Sequence, residues 1–269
     1  MNDLRSRFGL HTIPFTREIE VEECFSTEML AEALQALVRV LDQRMSAALI
    51  APAGTGKTTL LRVLIATHLP EARYRVHYVE VAGLSKRDMC REIALAAGVS
   101  PAGSFPLLVR NLQTRFVNTA ETDGLRSVLI LDNAHELRPD TMGMLRVLTN
   151  YNMDSRLVLS IILAGQPPLR DILRRDTLDD VARRLAHYAT LRPLSRAETK
   201  TYIEHRCVIA GATTDLFDAK ALEAIYEIGR GNLRATDQLA RKTIEVAHDR
   251  DADVADHTHV VHARKALWP

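Results

Sequence analysis

The sequence predicts an α/β fold, a parallel five-stranded sheet with helices on both faces, followed by a small all-helical unit. Three observations carry this. Short β-type runs alternate with helical patterns from residue 47 to residue 191. The third and fourth runs are nearly continuous Val, Ile and Leu, as strands covered on both faces require. Beyond Leu191 only helical patterns remain.

The runs are Ala47–Ala51 (AALIA), Arg75–Val81 (RVHYVEV), Ser127–Leu131 (SVLIL), Leu157–Leu163 (LVLSIIL) and His187–Leu191 (HYATL). Strand and helix taking turns in this way build a doubly wound layer. Ser195, with Glu198 three residues on, is a capping box that opens a helix to about Ala210, which Gly211 ends. A second helix runs from about Asp218 to Ile228. A third runs from about Leu233 to His248, after the turn Gly229-Arg230-Gly231-Asn232. The charged tail Asp249–Pro269 reads as one more short helix. The expected division is therefore residues 1–193, an N-terminal segment plus the α/β core, and residues 194–269, the helical unit and tail.

With 269 residues and 46% hydrophobic content, the chain buries one sizeable core and a smaller one. No stretch reaches the roughly 18 to 20 uncharged apolar residues of a membrane span. The opening MNDLRSRFGL lacks the form of a secretory signal. A cytoplasmic protein without a membrane partner is the expectation. Lys plus Arg, 35, nearly balances Asp plus Glu, 34, which excludes coating of nucleic acid by bulk charge and leaves only local contact. Cys24, Cys90 and Cys207 fit neither a disulfide framework nor a zinc site and read as buried thiols. His257, His259 and His262 lack a partner cysteine and read as exposed histidines on a terminal helix.

Directly after the first run comes Ala51-Pro-Ala-Gly-Thr-Gly-Lys-Thr58, a phosphate-loop pattern in which Ala51 replaces the first glycine. A glycine-rich turn opening a helix aims several backbone N–H groups at one spot, where the helix dipole favours an anion. Pro52, Ala53, Gly54, Thr55, Gly56, Lys57, Thr58 and Thr59 are the nucleotide-binding candidates, for ATP with Mg²⁺. Lys57 reaches the β and γ phosphates and the Thr58 hydroxyl ligates the metal. The third run ends at Asp132 after Val128-Leu-Ile-Leu131, the form of a Walker B strand, so Asp132 holds Mg²⁺ through water. The next residue is Asn133, where hydrolytic members of this class carry Glu, and an amide cannot accept the proton of the attacking water. Two readings follow: Glu136 or another carboxylate is the base, or the site turns ATP over slowly and nucleotide acts mainly as an assembly switch. The second is preferred. Gln166, after the fourth run, is a candidate sensor of the γ-phosphate or the water; the other reading is a polar residue opening the Pro167-Pro168 turn.

Together these residues resemble the AAA+ ATPases of the ExeA-like group, related to the transposition helper ATPases TniB and TnsC. The likeness runs from Phe8-Gly-Leu10 and Pro14-Phe15 through Asp132-Asn-Ala-His-Glu-Leu137, Leu145-Arg-Val-Leu-Thr-Asn150 and Gly165-Gln-Pro-Pro-Leu169. It ends in Leu191-Arg-Pro-Leu-Ser-Arg-Ala-Glu198, Tyr202-Ile-Glu-His-Arg206 and Gly231-Asn-Leu-Arg234. The resemblance implies a P-loop NTPase core of the AAA+ type with a C-terminal helical lid. It implies that Arg184, with Arg183 as second choice, is an arginine finger reaching a neighbouring subunit's γ-phosphate, and that Arg234 is the sensor 2 arginine touching nucleotide in its own subunit. It places Leu10–Phe15 over the adenine.

ExeA-type secretion ATPases carry a membrane span and a cell-wall-binding region after the ATPase unit. This sequence shows neither, which favours the short, transposition-helper form. That form implies an ATP-dependent homo-oligomer, ring or filament, that assembles on duplex DNA with little sequence preference and recruits or activates a transposase. By similarity the DNA contacts are Lys86, Arg87 and Arg91, with Ser104 a weaker one; the competing reading of this run is a solvated helix face. Two alternatives stand: an ExeA-like secretion or envelope-assembly ATPase acting on protein partners, and a nucleotide switch without nucleic acid.

Overall fold

The computed structural model describes residues 4–268. It divides the chain into two compact units: Glu28–Pro52 with Lys57–Leu191, and Met1–Thr27 with Ala53–Gly56 and Arg192–Pro269.

In the first unit five strands form one parallel sheet: β1 (Ser46–Ile50), β2 (Tyr74–Glu80), β3 (Arg126–Asp132), β4 (Leu159–Gly165) and β5 (Leu185–Thr190), in the order β2-β3-β4-β1-β5. Every residue of β1 and β4 is buried, as are all of β3 but its first. Alternate residues of β1, β3 and β4 serve different cores. Ala48, Ile50, Leu129, Leu131 and Leu163 pack with the helices Lys86–Ala96 and Phe105–Glu121. Ala47, Leu49, Val128, Ile130 and Ile162 pack with Glu28–Asp42 and Lys57–Val63. Two covered faces explain the unbroken apolar runs that marked β3 and β4 in the sequence. The edge strands β2 and β5 mix buried with exposed residues instead.

The second unit is helical: Arg196–Ile209, Ala219–Gly229, Leu233–Asp249 and His257–Leu267. The expected capping box is present, with Ser195 Oγ accepting from the Glu198 amide at 3.2 Å and the Ser195 amide donating to Glu198 Oε2 at 2.7 Å. Gly231 fixes the turn before the third helix. Its φ is +72°, and a Cβ there would lie 1.9 Å from the Leu194 carbonyl oxygen, so only glycine fits.

Several expectations change. The N-terminal segment falls in the helical unit rather than with the sheet, because Phe8, Leu10 and Phe15 are buried among Tyr202, Phe217, Ile225 and Leu239. Leu10 and Phe15 are therefore core residues, while Ile13 between them is exposed. His259 is buried and its Nδ1 accepts from the Asp256 amide, a structural task. Of the cysteines, Cys90 and Cys207 are buried and Cys24 is half-buried; burial pushes the Cys90 and Cys207 thiols up to about 12.

Candidate functional site

The carboxyl ends of the strands bring the expected phosphate-loop residues of the α/β unit together. Lys57 opens the helix that follows β1, and Asp132 ends β3. Lys57 Nζ donates to Asp132 Oδ1 at 2.8 Å, and Thr58 Oγ1 donates to Asp132 Oδ2 at 2.8 Å. Two further donors complete the carboxylate: the Tyr78 hydroxyl to Oδ2 at 3.0 Å and the Asn133 backbone N–H to Oδ1 at 2.8 Å. Burial pushes the Asp132 carboxyl up, but the bonds from Lys57 and Thr58, the Lys57 charge and the Asn133 amide outweigh it and hold the group below the usual carboxylate range. Burial and the Asp132 charge raise the Tyr78 hydroxyl, so it stays a donor. Tyr78 was not expected; its place two residues before the end of β2, in register with β3, is the signal for it.

In the middle of the loop Ala53 is exposed, Gly54 and Gly56 are half-buried and Thr55 is buried. Gly54 has φ +74°, which an L side chain rarely adopts, and its carbonyl accepts from the Arg234 amide at 3.3 Å. Asn232 caps the helix bearing Arg234 and donates from Nδ2 to the Ala53 carbonyl at 2.6 Å. Ala51 is fully buried and has no positive φ, so this position has no need of the glycine it replaces. The donor set suits a triphosphate and a hard cation: a lysine, a hydroxyl and an ionised carboxylate at a helix N-terminus.

The remaining candidates are spread out. Gln166 follows β4, which lies between β3 and β1, so its amide sits at the central strand tip. It is half-buried and its side chain has no partner among the described residues. Arg234 is exposed. Arg184, the first choice for a finger, folds back on its own chain: both its Nη atoms bond the Asp154 carboxylate, at 2.5 and 2.7 Å. Arg183 is the more exposed of the two, its Nε 2.7 Å from Asp179. The loop holding Asp154 is strained, with Asn152, Met153 and Asp154 all at positive φ. Nothing in the spacing of those residues announces it.

The cationic run opens the helix Lys86–Ala96, capped by Ser85. Arg87 Nη2 donates to the Gly103 carbonyl at 3.0 Å, beside Ser104, the N-cap of Phe105–Glu121. Arg91 bonds Asp88, and Lys86 lies 4.0 Å from Asp140.

The AAA domain family matches residues 38–173, just over half of the chain, spanning the loop, Asp132 and β4. The chain belongs to the AAA domain family. General secretion pathway protein A of Aeromonas hydrophila is 29% identical over 255 residues, 93% of this AAA chain and 46% of that protein; the chain spans about half the length of the curated relative it matches. The fold resembles the crystal structure of Cdc6p from Pyrobaculum aerophilum at TM-score 0.75 with 18% identity, over 94% of this chain and 70% of that one. It resembles the ORC1 protein of Aeropyrum pernix in complex with DNA at 0.68 and 18%, over 92% and 67%. RuvB of Thermotoga maritima, a Holliday junction branch migration motor, matches at 0.63 and 17%, over 94% and 73%. At these identities the likeness speaks for the AAA fold alone. No described helix is long and apolar enough to cross a membrane.

Proposed function

We propose that this AAA chain binds ATP with Mg²⁺ and uses it to assemble as a homo-oligomer on duplex DNA, where it recruits or activates a transposase. The observation that carries the reading is the convergence of Lys57 and Thr58 on Asp132. Bound Mg²⁺ would neutralise phosphate charge, held by the Thr58 hydroxyl and, through water, by Asp132. Lys57 would then exchange Asp132 for the phosphates, and Arg234 would add a further cation on the nucleotide. An arginine of the Arg183–Arg184 pair from an adjoining copy would complete the pocket; if it is Arg184, assembly must break its bonds to Asp154.

The DNA part of the proposal is supported by the bond from Arg87 to Gly103, which links the N-terminal ends of two helices where Lys86, Arg87 and Ser104 lie, with Arg91 in the second turn of the first helix. N–H groups and cations at such ends suit a phosphate backbone and carry no sequence preference. A second reading is favoured by the relationship to General secretion pathway protein A: an ATPase acting on protein partners in secretion or envelope assembly.

Negative-stain imaging of the protein with long duplex DNA separates the two. ATP-dependent rings or filaments on DNA, absent with ADP, support the first. No binding at low salt, with nucleotide affinity intact, supports the second.

A further inference from the structure

The residue after Asp132 is an amide, yet the neighbouring strand brings a carboxylate to the same place. Glu80 is the last residue of β2 and pairs in register with Asp132, the last of β3. Asn133 turns the chain there at a left-handed φ of 59°, a conformation Asn tolerates better than most residues. From that position its Nδ2 donates to Glu80 Oε1 at 3.3 Å. Glu80 is exposed, and only its Oε1 is bonded to Asn133. Glu136, the base the sequence offered first, ends the short turn Ala134–Glu136, and its side chain bonds neither Asp132 nor Asn133.

We infer that Glu80, held by the Asn133 amide, is the carboxylate that orients the attacking water in ATP hydrolysis and takes its proton. This rests on the reading of Lys57, Thr58 and Asp132 as the triphosphate site. The water oxygen forms a bond to the γ-phosphorus while the bond from that phosphorus to the bridging oxygen breaks. ADP leaves with the electron pair, and the water proton passes to Glu80 and then to the released phosphate. An amide cannot take that proton, but it can donate the hydrogen bond that fixes the group that does. Asn133 is thus a positioning residue, and the roles usually given to one glutamate are divided between two side chains on adjacent strands.

The test uses the full chain in wild-type form and as Glu80→Gln, Asn133→Ala, Glu136→Ala and the exchange Glu80→Asn with Asn133→Glu. One readout is affinity for a fluorescent ATP analogue with Mg²⁺; the other is whether protein-bound radiolabelled nucleotide stays triphosphate or becomes diphosphate in a single turnover. Glu80→Gln is expected to bind within about threefold of wild type and to slow conversion by about 100-fold or more, the scale of a lost general base. Asn133→Ala slows conversion by about tenfold and shifts its pH profile, which a merely structural Asn133 would not do; the exchange keeps conversion, and its loss there would overturn the pairing. An unchanged melting midpoint for Glu80→Gln shows the fold intact, with Glu80→Asp as a second variant. Wild-type conversion by Glu80→Gln, loss of conversion in Glu136→Ala instead, or wild-type protein that binds ATP and never converts it would each overturn the inference while leaving the triphosphate site standing. Wild-type protein that binds no nucleotide would bring down the reading beneath it.

Discussion

Each unit sets a carboxylate beside a cation and a tyrosine hydroxyl, and the two are shifted in opposite directions. In the α/β unit, Asp132 takes bonds on both oxygens, from Lys57, Thr58, Tyr78 and the Asn133 amide, and its carboxyl is pulled below the usual range. In the helical unit, Asp237 is engaged at Oδ1, by the Tyr202 hydroxyl at 2.6 Å and Arg206 at 3.4 Å. Burial there outweighs both partners and pushes the carboxyl up to about 6. Arg206 spends its better bond, 2.6 Å, on the Thr16 carbonyl, and it lies over the Phe15 and Tyr202 rings. The difference teaches that the number of donors, not the presence of an ion pair, decides which way a carboxylate shielded from water is shifted. Asp132 is held as an anion, which the proposed Mg²⁺ role requires; Asp237 meets Arg206, which bonds the N-terminal segment at Thr16, and takes a proton more readily.

The largest effect is expected from Asp132→Ala. Lys57 would lose the anion that compensates its buried charge, at a cost of about 3 kcal/mol in denaturant unfolding, and Mg²⁺-dependent nucleotide affinity would fall steeply. An affinity that survived would equate the two pairs and break the comparison.

The two carboxylates also carry opposite pH signatures. Asp132, depressed in the fold, stabilises at neutral pH and loses that contribution as pH falls through and below the usual carboxylate range. Asp237, raised in the fold, binds more protons folded than unfolded between about pH 4 and 6, so its contribution falls as pH rises through that window. Asp237→Asn should remove this component. The stability difference between variant and wild type should then shift in favour of the variant from pH 4 to pH 7, by at most about 3 kcal/mol, read from melts at both values.

The smallest effects come from the two phenols. Tyr78→Phe removes one of four donors from Asp132 and Tyr202→Phe one of two from Asp237, each costing about 1 kcal/mol in unfolding. The second should move the pH dependence of stability more than the first.

Much of this was legible in the sequence. Strand periodicity, the loop pattern and the capping box are local, and each appears within a few residues of its expected place. Asp132 was legible because an apolar run ending in a carboxylate needs no register to interpret. Glu80 and Tyr78 were not, because their meaning depends on which β3 residue each one faces. The pairing of Arg184 with Asp154 was hidden for another reason: Asn152 and Asp154 suit a left-handed turn, but the composition does not say which arginine its carboxylate meets. The placement of residues 4–27 escaped because Phe8, Leu10 and Phe15 are apolar whichever core receives them.

The most direct test of the central claim is equilibrium binding of a fluorescent ATP analogue, with and without Mg²⁺, to wild-type protein and Lys57→Ala. Saturable, Mg²⁺-dependent binding by wild type that is lost in Lys57→Ala is the predicted result. Equal binding by both proteins, or none by wild type, would contradict it.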